Sequence, residues 1–166
     1  MKEIKLTKGK VALVDDEDFE YLNQWKWYCQ ENRYKHDTLY YAVRSKTINK
    51  HRCLIMMHRV IMETSNELEV DHIDHNGLNN QKSNLRNCTH SQNHMNKVSK
   101  GKSRYLGVCF YIQKRKLRGD RLLIRANIVI NKKFISLGYF KTEKAAARAY
   151  DRCAKKYHGE YANLNF

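Results

Sequence analysis

The chain has 166 residues, 42% of them hydrophobic, with 11 tyrosines and 2 tryptophans; this is enough apolar material for one ordinary domain or two small ones, and too much for a disordered chain. No apolar run is long enough to span a bilayer, and the start Met1-Lys2-Glu3-Ile4-Lys5 has no apolar leader, which points to an intracellular, cytoplasmic protein. The net charge of +15 is unevenly placed, because residues 1–96 hold 14 Lys/Arg against 13 Asp/Glu while residues 97–166 hold 18 against 4.

That asymmetry implies a polyanionic partner for the C-terminal part, since each neutralised phosphate releases condensed counterions. A membrane surface fits less well, as no basic amphipathic helix with a bulky apolar face is present. The five cysteines (Cys29, Cys53, Cys88, Cys109, Cys153) are scattered, odd in number and without a C-x-x-C pair. They therefore read as reduced thiols used for packing, neither a zinc ribbon nor a disulfide framework.

In chain order, residues 1–53 read as a small β-rich scaffold. Lys10–Val14 is strand-like, and Asp15-Asp16-Glu17-Asp18 suits the first turn of a short helix. Trp25–Cys29 and Leu39–Val43 read as aromatic strands joined by a polar turn. Leu54–Met62 is a continuous apolar run expected to form a short, largely buried helix. Glu69–Ile73 and Leu85–Thr89 read as a strand and its return, with Thr89 or Ser91 capping a helix through Asn93 and beyond. Residues 98–102 look like a linker. Beyond it, Tyr105–Tyr111, Leu122–Ile130 and Lys133–Leu137 are expected strands, Asn131-Lys132 a tight turn, and Thr142 to Gly159 a capped helix. Its apolar stripe is Ala146, Ala149, Tyr150, Cys153 and Tyr157.

The chemistry concentrates in residues 70–96, VDHIDHNGLNNQKSNLRNCTHSQNHMN, which hold four of the eight histidines. His72 is the side chain there best suited to accept a proton near neutral pH. Its neighbour Asp71 would face the other way on a straight strand, so a kink is needed to bring both to one site. Asn84 is suited to hold that kink through its amide. Asp71-His72-Ile73-Asp74, Asn79-Asn80, Asn84-Leu85-Arg86 and Ser91-Gln92-Asn93 together resemble the DHxD…NN…NLR…xxN pattern of HNH homing endonucleases, and His58-Arg59-Val60-Ile61 matches the helix that precedes it.

The resemblance implies a ββα-metal (His-Me) nuclease unit over 54–97, with His72 as general base, Asn84 as structural asparagine, and Asp71 and Asn93 as metal ligands. One carboxylate and one amide oxygen make a sparse, hard site suited to Mg2+ or Mn2+. His58 reads as structural or as a phosphate contact, and His75 as a solvated turn residue. His90 and His94, at i, i+4 spacing, are alternative additions to the metal shell.

Residues 103–166 resemble the ethylene-response-factor (Apetala-two) DNA-binding domain through Ser103–Val108, Leu137-Gly138-Tyr139-Phe140, Ala145–Asp151 and Leu164-Asn165-Phe166. The resemblance implies a three-stranded antiparallel sheet packed on one helix and presented to the major groove. Candidate DNA-binding residues are Arg104, Lys114, Arg115, Arg125, Lys132 and Lys133. Leu106 and Cys109 stand where the plant family has arginines, so its target preference does not carry over. The expected protein is an α+β, monomeric, metal-dependent endonuclease of double-stranded DNA, with no membrane and no obligate protein partner. A DNA-binding regulator with a decayed nuclease unit is the alternative, and an RNA-binding protein a weaker one.

Overall fold

The structure, a computed structural model, describes residues 1–34, 37–96, 101–114 and 119–166. It is an α+β chain of two compact units, Met1–Asn93 and His94–Phe166. Arg115, most of the expected linker and part of the turn between the aromatic strands lie outside the described residues. Among the described residues, no helix is long and apolar enough to cross a membrane.

The first unit opens with a hairpin of β1 (Lys2–Lys5) and β2 (Val11–Val14). Helix α1 (Asp16–Leu22) follows, with Asp16, Glu17 and Asp18 in its first turn, where the amide dipoles favour carboxylates. Strands β3 (Tyr28–Tyr34), β4 (Asp37–Ile48) and β5 (His51–Met56) form an antiparallel sheet in that order. Trp25 and Trp27 precede β3, and Trp27 is buried with its indole N–H donating to the Leu22 carbonyl at 2.8 Å.

The run 54–62 divides between two elements. Its first three residues complete β5, with Leu54 paired to Ser45 and Met56 to Val43, and only Met57–Ile61 is helical (α2). An unbroken apolar run does not distinguish strand from buried helix. The hairpin turn at Asn49 and Lys50, both at positive φ, decides the matter by aligning the run with β4. A short antiparallel ribbon, β6 (Glu69–His72) and β7 (Leu85–Cys88), then leads into the one-turn helix α3 (His90–Asn93).

Residues 1–53 and the ribbon share one core. Ile4, Ala12, Val14, Leu22, Trp27, Ala42, Met57, Ile61, Val70 and Leu85 form a single buried cluster. Strand β2 also bonds to the ribbon's loop: Leu13 N donates to the Leu78 carbonyl and Asn80 N to the Leu13 carbonyl, both at 2.8 Å. Asp15, just ahead of α1, accepts from the Lys82 backbone at 2.7 Å and from Gln81 Nε2 at 3.1 Å.

The second unit is a sheet ordered β10-β9-β8, from β8 (Val108–Gln113), β9 (Arg121–Ile130) and β10 (Lys133–Phe140), backed by α4 (Glu143–His158). Thr142 caps α4 by accepting from Ala145 N at 3.2 Å. Asn131 and Lys132, both at positive φ, form the tight β9–β10 turn. Alanines 146, 147, 149 and 154 are buried, so the helix seats close to Val108, Ala126 and Ile128. Tyr157 departs from the expected stripe: it is exposed, and His158 is buried instead, its Nε2 3.0 Å from the Val129 carbonyl. Asp151 secures the chain's end through Asn165 and the Phe166 backbone.

Strand β8 starts three residues later than expected because Tyr105 is a buried turn residue and Gly107 takes a left-handed conformation, φ 73°. A methyl group at Gly107 would collide with the buried Tyr150 ring. Gly107→Ala is therefore expected to lower stability by at least about 1–3 kcal/mol, read from the urea midpoint of the full chain, through both overpacking and the strained backbone.

Candidate functional site

The ribbon β6–β7 carries the polar cluster predicted from the sequence. By register Val70 and His72 share one face with Leu85, and Asp71 and Arg86 the other, with Val70 and Leu85 in the core. Its connecting loop, residues 73–84, is dense in asparagine because its backbone must turn without regular pairing. Asp74 Oδ1 accepts from Asn76 N at 2.8 Å and Asn76 Oδ1 accepts from Leu78 N at 3.1 Å, two successive side-chain-to-backbone turns.

Asn84 closes this loop. Its Oδ1 accepts from Asp74 N at 3.0 Å, and its Nδ2 donates to Asp74 Oδ1 and to the Asn79 carbonyl, each at 2.9 Å. Its own carbonyl accepts from Ile73 N at 2.9 Å. The amide thus joins the exit of β6 to the far side of the loop. Gly77 is where the loop touches the β-sheet scaffold, and an added methyl there would meet the Tyr41 ring at 2.7 Å.

Asp71 and His72 are both buried, at 6% and 7% exposure, which removes both from bulk water. Asp71 is held by its cross-strand partner Arg86, whose Nη2 and Nε donate to Oδ2 at 2.6 and 2.9 Å. His72 Nε2 lies 3.4 Å from Oδ1 of the fully buried Asn80. Its ring stands edge-on to His58 at 5.0 Å between centroids, and Tyr41 is 6.0 Å away. With Asn80 accepting from Nε2, the neutral tautomer carries its basic lone pair on Nδ1.

Asn93, at the end of α3, donates through Nδ2 to Glu69 Oε2 at 2.6 Å, and His90 Nδ1 is 2.7 Å from Glu69 Oε1. Glu69 and Asp71 are two residues apart on β6 and so share a face. The helix end is thereby attached to the strand that carries Asp71. His94 falls beyond the end of α3, so the helix carries only His90 of the two alternative additions to the metal shell. His75 is a turn residue at φ 63°.

Burial lowers the pKa of His72 below the usual histidine value, opposed by Asn80 and by the carboxylates of Asp74 and Asp71. Burial lowers His58 much further, to about 3, with the nearby His72 and Arg59 adding to the effect. Its Nδ1 is enclosed without a hydrogen-bond partner. Among the described residues, no group of three or more His, Cys, Asp and Glu side chains is gathered to hold a metal ion.

In the sequence Asn80 reads only as loop-forming, and Tyr41, Arg86 and Glu69 carry no reading as site residues. Arg86 was legible in principle, because pairing β6 with β7 places it opposite Asp71. Tyr41 arrives from a distant strand and leaves no local signal.

Among the basic candidates of the second unit, Arg125 lies mid-strand in β9, while Lys132 occupies the β9–β10 turn and Lys133 opens β10. Lys114 follows β8. Arg104 is not on the sheet. It precedes β8 and lines a cleft with Lys102, Tyr105, Thr142, Glu143 and Lys144 near the start of α4.

Comparison with known proteins gives three similarities. A protein of Acanthamoeba polyphaga mimivirus, named as an uncharacterized HNH endonuclease, is 30% identical over 160 residues, covering 95% of this chain and 76% of that protein. APETALA2-like protein 2 of rice, in both the indica and the japonica subspecies, is 38% identical over 68 residues, 41% of this chain and 14% of the plant protein. No family model matches the chain. No solved structure matches it either.

The histidine pair makes the first unit acid-sensitive. Unfolded His58 protonates near the ordinary value of about 6.5, whereas folded His58 does so only at about 3, so between these values protons favour the unfolded chain. Stability is expected to fall as pH drops below about 6.5, by up to about 1.4 kcal/mol per pH unit from this residue. Urea titrations from pH 7 to 4 check this, and His58→Phe should flatten the decline.

Proposed function

Because the chain belongs to the HNH endonuclease family, we propose that it is a metal-dependent nuclease of the homing type that hydrolyses phosphodiester bonds of double-stranded DNA. In this reading the first unit contains a ββα-metal site, and the C-terminal unit is a separate DNA-binding module. The observation that carries it is the β6–β7 ribbon, which places a buried Asp-His pair at a strand end, clasps the following loop with Asn84, and attaches Asn93 to the same strand through Glu69.

The donor set fits a hard cation. Arg86 donates to Asp71 Oδ2 through Nε and Nη2, and the Asn93 amide turns its nitrogen toward Glu69. Asp71 and Asn93 would hold magnesium or manganese through oxygen, with water and phosphate oxygens completing the shell. Such an ion supplies charge neutralisation on the scissile phosphate and on the departing oxygen.

His72 does the proton work. With Nε2 held toward Asn80, Nδ1 takes a proton from water, the resulting hydroxide attacks phosphorus in line, the P–O3′ bond breaks, and the departing 3′ oxygen takes a proton from solvent water. The products carry 5′-phosphate and 3′-hydroxyl ends. Asn84 acts by fixing the backbone at residues 73–74, immediately after His72. The excess positive charge of residues 97–166 retains the duplex while the first unit cuts.

Duplex DNA incubated with the full chain is expected to be cut with magnesium or manganese and left intact with chelator, with end mapping giving the polarity above. His72→Ala should lower the cleavage rate by about 10²- to 10⁴-fold while DNA affinity stays unchanged; wild-type rates in that variant would sink the assignment.

The pH profile has a defined sign. A general base works unprotonated, and burial lowers the His72 pKa, so activity should persist at pH 6.5 and decline only at more acidic pH. An acid limb centred above 6.5 in single-turnover rates would contradict this.

A further inference from the structure

Strand β3 begins at Tyr28, opposite Val43 of β4. From Arg44 to Ile48, β4 pairs with β5 alone among the described residues. A cleft of about 480 Å³ lies at that step, within the size range of small-molecule sites, about 300–1,000 Å³. Trp25, Lys26, Tyr28, Arg44, Ser45 and Arg52 line it, and it shares no residue with the Asp-His ribbon or its loop. Arg44 stands three residues along β4 from Tyr41, the residue beside His72, so it projects from the strand's other face.

The Arg44 guanidinium is laid on tryptophan. Its carbon is 4.3 Å from the Trp25 ring centroid and 5.6 Å from that of Trp27. Tyr21 braces Trp25 edge-on, 4.8 Å between centroids. Arg44 Nε is enclosed without a hydrogen-bond partner. Among the described residues Lys26, Arg44 and Arg52 form no ion pair, whereas Lys8, Arg33, Lys82 and Arg86 of the same unit each meet a carboxylate. Stacking thus restricts the Arg44 side chain while no acid neutralises it.

Residues 1–96 hold 14 Lys/Arg against 13 Asp/Glu, so three cations without acids at one cleft are a local arrangement and not a share of a general excess. Among the described residues no carboxylate lines the cleft. Such a place attracts an anion. Its aromatic side narrows the class. A bare phosphate has no use for Trp25, Tyr28 and a guanidinium held flat, whereas a nucleobase stacks on aromatic rings and on arginine planes. Paired bases in a duplex have both faces covered by their neighbours, so the base that fits is an unstacked one.

We propose that this cleft binds a single unstacked nucleotide, its base against the Arg44–Trp25 plane and Tyr28, and its phosphate held by Lys26 and Arg52. The ligand is a nucleoside phosphate, either free or as an unpaired member of a strand. The site is separate from the Asp-His ribbon, and it stands whether or not that ribbon hydrolyses DNA.

The chain's two tryptophans, Trp25 and Trp27, both lie against Arg44, so the intrinsic fluorescence of the full chain reports on this cleft. In chelator, where cutting plays no part, 2′-deoxyadenosine 5′-monophosphate should change the tryptophan emission saturably. Deoxyadenosine and inorganic phosphate should each bind more weakly by about tenfold or more, since each keeps one of the two contacts. Arg44→Ala should weaken the nucleotide by about 5- to 150-fold, the loss of one stacking contact. Arg44→Lys keeps the charge without the plane, and should weaken the nucleotide while leaving inorganic phosphate unchanged. Arg52→Ala, at an exposed position, should weaken nucleotide and phosphate alike and leave deoxyadenosine unchanged. Single-stranded oligo(dA) that saturates at lower concentration than the monophosphate identifies an unpaired nucleotide of a strand as the ligand; the reverse order identifies a free nucleotide.

Inorganic phosphate that binds as tightly as the nucleotide reduces the cleft to an anion contact and overturns the inference. Duplex oligo(dA)·oligo(dT) that shifts the emission at lower concentration than the single strand overturns it too. So does the absence of a saturable change with both nucleotide and single strand, or wild-type nucleotide affinity in Arg52→Ala. Should Arg44→Ala fail to fold, Arg44→Lys and Arg52→Ala decide. Metal-dependent cutting is untouched by each of these outcomes.

Discussion

The first unit depends on one side-chain amide, that of Asn84. A strand that ends in adjacent Asp and His residues would send them to opposite faces and continue away from both. Here the chain turns back directly after His72, and the turn has too few backbone pairs to hold itself. Asn84 supplies the missing bonds, accepting from Asp74 N and donating to Asp74 Oδ1 and the Asn79 carbonyl. An aspartate at 84 would lack the donor and a leucine would lack both functions, so the residue type follows from the geometry. With the loop closed, Asn80 reaches the His72 ring and Leu78 and Asn80 pair with β2.

This arrangement places unusual polarity in a small core. Asp71, His72, His58, Asn80 and Asn84 are all buried in a unit whose apolar cluster contains ten residues. Buried charge is tolerated only when paired, and Arg86 provides the pairing for Asp71. The histidines solve the same problem differently: burial holds both below the usual histidine value, and the nearby His72 adds to the effect on His58. An ion-paired carboxylate and an imidazole that burial holds below the usual histidine value thus occupy adjacent positions on β6.

Much of this was legible in the sequence, and the failures have identifiable causes. Ile-Asn-Lys occurs twice, at residues 48–50 and 130–132, and both copies form tight turns with Asn and Lys at positive φ. The second is legible as a turn because alternating strands flank it, whereas the first is masked by the apolar run after it, Leu54–Met62, which imitates a buried helix and hides β5. The Asp-His pair, Asn84 and the cap at Thr142 were readable because each rests on local chemistry. Tyr41 beside His72 and Arg104 beside α4 were not, since both placements depend on elements distant in sequence.

The two units carry their charge differently. Residues 1–96 carry nearly balanced charge around the buried Asp71–Arg86 ion pair and two histidines that burial holds below the usual value. The excess charge is placed in residues 97–166, where the core is built from alanines and a few aromatics and contains few groups that titrate near neutrality. Balanced charge thus accompanies the unit with buried polar side chains in number, and the excess accompanies a core that holds few of them.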